Sequence, residues 1–414
     1  MATKNITGLH DSSIVVSTSG NTYNIAQNAK IISDGGASPG DPVGAIMEDP
    51  AAMPAPKNNI FNVDGRVIGF VNGMFLAGSN DEVHIGATGK VTGGNGIVMG
   101  GTNSLVVNDG ELGAVWDQSS SSSGFAFHGI GGDKMEFRNN GEVYGYAGVA
   151  MEGVDKALVV NGVHGEILGL LAGVAFLNQT GETGKFINHG SVVVSASEGL
   201  AFFGSDGDDT VINDGTMTGH VMLAAGNDSF DNRGGTIQGT IIGGAGDDVL
   251  ITDKGSVKLT EESSGGDDTV KSTVSYALSE NVENLFLLGN ADINGTGTAA
   301  ADKLHGNTGD NTIKGLAGTD DLWGGKGNDQ LTGGADADIF HFATGYADDK
   351  ITDFLQGTDK IDVTQWSVIA DFGDVTSHAH NQGSDVIIEV GTDSLLIKGL
   401  HKADLTMADF IFPV

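Results

Sequence analysis

Gly315-Leu-Ala-Gly318-Thr-Asp320-Asp-Leu322-Trp323 is followed without a break by Gly324-Gly-Lys-Gly327-Asn-Asp329-Gln-Leu331-Thr332. Both nonads carry Gly at positions one and four, Asp at six and Leu at eight. The frame extends in both directions, with Gly297, Gly306 and Gly333 opening further nonads. The sixth position then reads Asp302, Asn311, Asp320, Asp329, Asp338, and the eighth reads Leu304, Ile313, Leu322, Leu331, Phe340. The fourth reads Gly309, Gly318 and Gly327, with Ala300 and Asp336 as departures. One apolar residue in nine cannot build the apolar stripe of a helix. It suits a short strand that sends one side chain inward between glycine turns.

Upstream, a looser form of the pattern recurs once per 19–20 residues. Gly204-Ser-Asp206-Gly207-Asp-Asp209-Thr-Val211 and Gly243-Gly-Ala-Gly246-Asp-Asp248-Val-Leu250 match it fully. Gly226-Asn-Asp228-Ser-Phe230 and Gly266-Asp-Asp268-Thr-Val270 match its second half.

Farther upstream the acidic turns fade and a longer repeat remains. Its anchors are Gly65, Gly89, Gly110, Gly141, Gly165, Gly190, Gly215, Gly235 and Gly255. Two residues after each anchor the side chain is apolar, from Val67 and Val91 to Ile237 and Val257. Four residues before, it is apolar in most, as at Phe61, Ile85, Phe186 and Ile251. Units of 20–31 residues with no helical period read as two or three strands each, stacked as coils of a β-solenoid. The expected fold is therefore all-β: a parallel β-helix or solenoid over 59–270, continuing into a tighter β-roll over 271–345. Residues 1–33 read as a capping coil, and the Pro/Gly-rich stretch 34–58 as an exposed loop or linker. Gln118 to Gly124 reads as a serine-rich loop bulging from one coil.

Two nonads make one turn, so Asp302, Asp320 and Asp338 fall on one side and Asn311 and Asp329 on the other. Carboxylates stacked at about the 4.8 Å strand spacing repel unless a cation lies between them. Carboxylates and glycine-turn carbonyls, without His or Cys, make a hard oxygen site that suits Ca²⁺. The expected ligand turns are those of Asp206, Asp209, Asp228, Asp248, Asp268, Asp302, Asn311, Asp320, Asp329 and Asp338. Their glycines are Gly204, Gly207, Gly226, Gly243, Gly246, Gly306, Gly309, Gly315, Gly318, Gly324, Gly327 and Gly333. Departures at Ala300, Asn311 and Asp336 predict weaker sites.

At this point the sequence resembles the RTX (repeats-in-toxin) proteins. The nonads at Gly315 and Gly324 are close to that family's consensus. Val282-Glu-Asn-Leu-Phe286 is similar to its lead-in strand. Asp349-Lys-Ile-Thr-Asp-Phe354 and Gly357-Thr-Asp-Lys-Ile-Asp362 are similar to its capping segment, and Ala408-Asp-Phe-Ile-Phe412 to the tail of type I secretion substrates. The resemblance covers about 204–414. It implies calcium binding, a C-terminal cap and secretion signal over 346–414, and export through a type I apparatus of a Gram-negative bacterium. The N-terminal half resembles no family.

The bulk numbers agree. The chain has 414 residues, 67 Gly, no Cys and a net charge of −34. Such a charge excludes nucleic acid as a partner. The absence of Cys excludes disulfides, zinc–thiolate sites and Cys nucleophiles. No apolar run approaches a membrane span, and no Sec signal peptide opens the chain.

A search for catalysis finds neither His-Glu-x-x-His nor Gly-x-Ser-x-Gly. His164 and His189 fall at turn positions, and His378 and His380 read as a solvated loop. The rival reading is a β-helix polysaccharide lyase or alginate epimerase with an RTX module. It needs a cationic groove for uronates. Arg66, Arg138 and Arg233 are the only arginines, and neither Asp41-Pro42-Val43 nor Asp49-Pro50-Ala51 continues as Asp-Pro-His. The expected function is thus not enzymatic. It is that of a secreted Ca²⁺-binding structural protein, a surface-layer, matrix or filament subunit. Its partners would be copies of itself through the solenoid ends, with a cell-surface polysaccharide as a further candidate.

Overall fold

The computed structural model describes residues 2–33, 44–49, 55–115, 124–177 and 184–413. They form two compact units, Met1–Gly244 and Ala245–Val414. The boundary falls inside the stretch 59–270 that the sequence reads as one domain.

In the first unit each coil contributes three short strands, as in Ile60–Val63, Arg66–Gly69 and Asn72–Leu76. All three ladders are parallel and in register. The first aligns Ile60, Glu82, Leu105, Glu136, Leu158 and Lys185. The second aligns Arg66, Lys90, Glu111, Glu142, Glu166 and Ser191. The third aligns Met74, Ile97, Phe127, Val149, Val174 and Phe202. In two coils the second and third strands run on as one, Glu142–Glu152 and Glu166–Leu177, with a register irregularity between Gly145 and Ala147.

The core is the stack of equivalent apolar side chains. Val67, Val91, Leu112, Val143, Ile167, Val192 and Met217, all two residues after an anchor, are buried. Ile237 is only half-buried. Ile251, expected inside, is also half-buried, and Leu250 takes the core position. The span from Leu250 to Gly255, like that from Phe230 to Gly235, is one residue longer than those from Phe186 to Gly190 and Val211 to Gly215, and a one-residue slip exchanges the faces of a strand.

The Asn that precedes many anchors is more than a turn former. Asn108, Asn139, Asn161, Asn188 and Asn213 are buried and hand a hydrogen bond from coil to coil. Each Nδ2 donates to the next Oδ1 at 2.8, 2.8, 2.8 and 2.7 Å, and Asn213 passes it to Asn232 at 2.6 Å.

Two expectations change here. Residues 3–48 hold two coils rather than one cap: Thr3–Ile6, Leu9–His10 and Ile14–Val16, then Thr22–Ile25, Lys30–Ser33 and Gly44–Glu48. The stretch 34–58 is not all loop, because Ala45, Ile46, Met47 and Glu48 are buried in that last strand. Its prolines at 39, 42, 50 and 54, and the serine insertion at 118–123, lie outside the described residues.

In the second unit each turn has two strands and is 18 residues long in the nonads. One ladder aligns Asn284, Lys303, Asp321, Ile339 and Lys360. The other aligns Gly295, Ile313, Leu331, Ile351 and Ile397. Leu304, Leu322 and Phe340 from one ladder, and Ile313 and Leu331 from the other, are fully buried. On the outer side Phe286, His305, Trp323 and His341 stack face to face, with ring centroids 4.3, 4.0 and 3.9 Å apart. Burial and the neighbouring His341 push the His305 imidazole down to about 4.

The expected cap begins later than 346, since Asp348–Ile351 is still a strand of the roll. It contains an antiparallel meander, Ala379–Gln382, Asp385–Val390 and Asp393–Ile397, and closes with the strand Phe410–Ile411, which pairs in parallel with Lys360–Gln365. Phe372–His378 is the one α-helix among the described residues, and the Asp371 side chain caps it by accepting the Asp374 N–H. His378 and His380 therefore sit at a helix end and in a strand, not in a loop. His378 Nδ1 lies 2.8 Å from the Asp374 carbonyl oxygen, and His380 lies 3.6 Å from Glu389.

Candidate metal centre

The sixth-position carboxylates close each glycine turn one residue before a strand begins. In the later turns the carboxylate reaches back to the N–H of the sixth-position residue one turn earlier. The Asp302 N–H donates to Asp320 Oδ1 at 2.9 Å, the Asp320 N–H to Asp338 Oδ1 at 3.0 Å, and the Asp338 N–H to Asp359 Oδ1 at 3.1 Å. On the other side the Asn311 N–H donates to Asp329 Oδ1 at 2.7 Å and the Asp329 N–H to Asp349 Oδ1 at 2.9 Å. The two columns are those that the nonad spacing implies. Asp349 and Asp359 complete them, although they lie outside the nonads.

One oxygen of each carboxylate is thus used. The second, Oδ2 of Asp268, Asp320, Asp329 and Asp338, is buried without a hydrogen-bond partner. A buried, unsatisfied carboxylate oxygen is costly. Burial first, then neighbouring carboxylates, push Asp320 up to about 7 and Asp338 up to about 6. Asp329 rises to about 7 and Asp349 to about 8 by the same causes.

Glycine leaves room beside these oxygens. A Cβ on Gly315 would overlap Asp320 Oδ2 and lie 2.6 Å from the Gly333 carbonyl oxygen. A Cβ on Gly297 would overlap Asp302 Oδ2 and lie 2.8 Å from the Gly315 carbonyl oxygen. Gly324 and Gly333 hold the same relation to Asp329 and Asp338. Each first-position glycine therefore keeps open a cradle of oxygens. Gly318 and Gly327 serve the backbone instead, with φ of 105° and 113°. Carboxylate and carbonyl oxygens around a space that a methyl group would fill fit Ca²⁺, which takes 6–8 oxygens in flexible geometry.

Four positions differ from this scheme. Asp302 is satisfied within its own turn, its Oδ2 accepting the Thr298 N–H and both oxygens lying within reach of the Thr298 hydroxyl. Asn311 satisfies itself: its Oδ1 accepts the Asn307 N–H at 2.8 Å and its Nδ2 donates to the Ile293 carbonyl at 2.7 Å. Asp209 accepts from the Ser205 N–H, the Ser205 hydroxyl and the Gly184 N–H, so neither oxygen is orphaned. Asp206 is exposed and stands outside the buried column. In the looser turns of the second unit, carboxylate oxygens of Asp248, Glu261 and Asp268 lie within 4.8 Å of one another, all buried. Glu261 has no place in the repeat, so spacing gave no signal for it.

The RTX calcium-binding nonapeptide repeat family matches the chain in four copies, over residues 239–256, 296–331 and 315–346. The chain carries RTX repeats and binds Ca²⁺. No curated protein matches it. Among solved structures, this chain is similar to a subunit of the Azotobacter vinelandii mannuronan C5-epimerase. That match has 24% identity over 31% of this chain and 82% of the other, with a TM-score of 0.25. It is also similar to the extracellular lipase LipA of Serratia marcescens, at 16% identity over 56% of this chain and 41% of the other, with a TM-score of 0.23.

Two expected results follow from the RTX turns. Gly315 has no positive φ, so Gly315→Ala should act through the cradle alone. Equilibrium dialysis should show fewer Ca²⁺ bound, with about 1.4–2.7 kcal/mol of calcium-dependent stability lost. In the absence of calcium, pH should matter with a definite sign. The Asp pKa values are raised on folding, so the folded chain binds more protons than the unfolded one. Calcium-free stability should then be highest near pH 4 and fall as pH rises through 6 to 8. Urea midpoints in EGTA check this, and calcium should flatten the profile.

Proposed function

We propose that this chain is a secreted Ca²⁺-binding structural protein that folds on export and assembles or adheres at the surface of a Gram-negative bacterium. The observation that carries this reading is the pair of buried carboxylate columns, whose orphaned oxygens need a cation in the folded state. Calcium is scarce inside cells and plentiful outside, so the part of the chain that carries these columns stays unfolded until it leaves. RTX repeats are typical of secreted proteins, and the tail that resembles type I substrates fits the same route. The first coil supports assembly. Its strand Thr3–Ile6 pairs on one side only among the described residues, and Leu9 and Val15 beside it are exposed. An uncovered strand edge accepts another strand.

The enzyme reading gains no support from the groove on the first unit. That groove is lined by Arg66 and Lys90 together with Asp109, Glu111 and Glu142. Lys90 is held by Glu111, which also accepts the Tyr144 hydroxyl at 2.7 Å. With three carboxylates against two cations, the groove does not favour a uronate.

Electron microscopy of the purified full-length protein with and without Ca²⁺ tests the proposal. Filaments, sheets or lattices in calcium are the expected result. Dispersed particles at every calcium level would overturn assembly. A change in polymer composition on incubation with alginate or pectin would replace it with the enzyme reading.

A further inference from the structure

Outside the repeats, in the first unit, two carboxyl groups are buried against each other. Glu48 and Asp81 are 1% and 0% exposed. Glu48 is well supplied with donors. Its Oε1 accepts from Asn59 Nδ2 at 2.9 Å, and its Oε2 accepts from the Ala77 and Gly78 N–H groups at 3.0 and 2.6 Å. Asp81 is not. Its Oδ1 accepts the Asn59 N–H at 2.8 Å, and its Oδ2 is buried with no hydrogen-bond donor.

The free oxygen points at a crowded place. A Cβ on Gly78 would lie 2.5 Å from Asp81 Oδ2 and 2.8 Å from Glu48 Oε2, and would overlap the Pro56 carbonyl oxygen. This is the arrangement seen beside Gly315: a glycine, an orphaned aspartate oxygen and a carbonyl from another turn. The placement in the coil is also the same. Asp81 stands one residue before its strand, Glu82–Ile85, as Asp320 stands before Asp321–Trp323. Asp81 accepts an N–H from the adjacent coil, as Asp320 does from Asp302. The nonapeptide pattern misses it because Gly78 and Asp81 are three residues apart, not five, and because the second carboxylate comes from Glu48, in a different coil.

We propose that Glu48, Asp81 and the Pro56 carbonyl form a divalent-cation site in the N-terminal coils, separate from the RTX turns and filled by Ca²⁺. Two carboxylates and a carbonyl supply hard oxygens only, and the net charge of the pair matches a divalent ion. Without an ion, two buried carboxylates this close need a proton between them. Burial, then Glu48, push Asp81 up to about 8, which makes a shared proton the competitor.

Hydrogen exchange by mass spectrometry on the full-length chain at pH 8.5, in Ca²⁺ and in EGTA, separates the two. The cation predicts that calcium slows exchange at Asn59, Ala77 and Gly78 at least tenfold. Asp81→Asn keeps the acceptor for the Asn59 N–H, and should remove that protection while peptides over 302–338 keep theirs. Asp320→Asn should do the reverse, which guards against misfolding of the first variant. Equal exchange with and without calcium would overturn the site in favour of the proton. Loss of protection at 59–78 in Asp320→Asn would overturn it as an effect relayed from the repeats. Neither result bears on whether the RTX turns bind calcium.

Discussion

Withdrawing calcium with EGTA at pH 7.5 should unfold most of Ala245–Val414, seen as loss of the β signal in far-UV circular dichroism. The argument is additive. A site at ten times its Kd contributes about 1.4 kcal/mol, and at a hundred times about 2.7. About four such turns then contribute some 6–11 kcal/mol, comparable to the whole stability of an ordinary domain. The reserve without the ion is small. Each 18-residue turn of the nonads supplies only two fully buried apolar side chains, such as Leu304 with Ile313 and Leu322 with Leu331, and Asp320, Asp329 and Asp338 keep orphaned oxygens. Hydrogen exchange should locate the loss, with 59–200 far less affected. An unchanged spectrum and melting curve in EGTA would remove the basis for the proposed function.

The second large effect is independent of the repeats. Asn161→Ala should destabilise the first unit by about 4 kcal/mol. The side chain donates to Gly165 O, Asn188 Oδ1 and Ser191 O, and its own Oδ1 accepts from Asn139. Truncation strands these groups in a site where water does not reach. Chemical denaturation with saturating Ca²⁺ should show the loss, and added calcium should not restore it. A change below about 1 kcal/mol would mean that the amide stack is decorative.

These two results also mark what the sequence could tell. The nine-residue frame was legible because every turn needs the same glycine and carboxylate. The Asp320 and Asp329 columns fell where that frame put them. The coil anchors were legible for the same reason. Glu261, Glu48 and Asp81 were not, because each meets its partners through coil stacking and none recurs. The Asn stack is visible only as letters in the sequence, since stacking alone shows that Asn108 and Asn139 face inward. The strand Gly44–Glu48 was hidden by the prolines around it. Ile251 was misplaced because one extra residue in a turn leaves no trace in composition.

The in-register stacking has a consequence for how such a chain can change. The Asn139 rung meets the Asn108 rung below and the Asn161 rung above through the same bond, at 2.8 Å in each case. Each coil therefore presents to its neighbours the surface that it also receives. Excising the 22 residues from Asn139 to Val160, or duplicating them, joins surfaces that already fit. Length is then a quantity that recombination within the gene can adjust coil by coil, while the ends stay as they are. The reach of this molecule is thus open to selection separately from its chemistry.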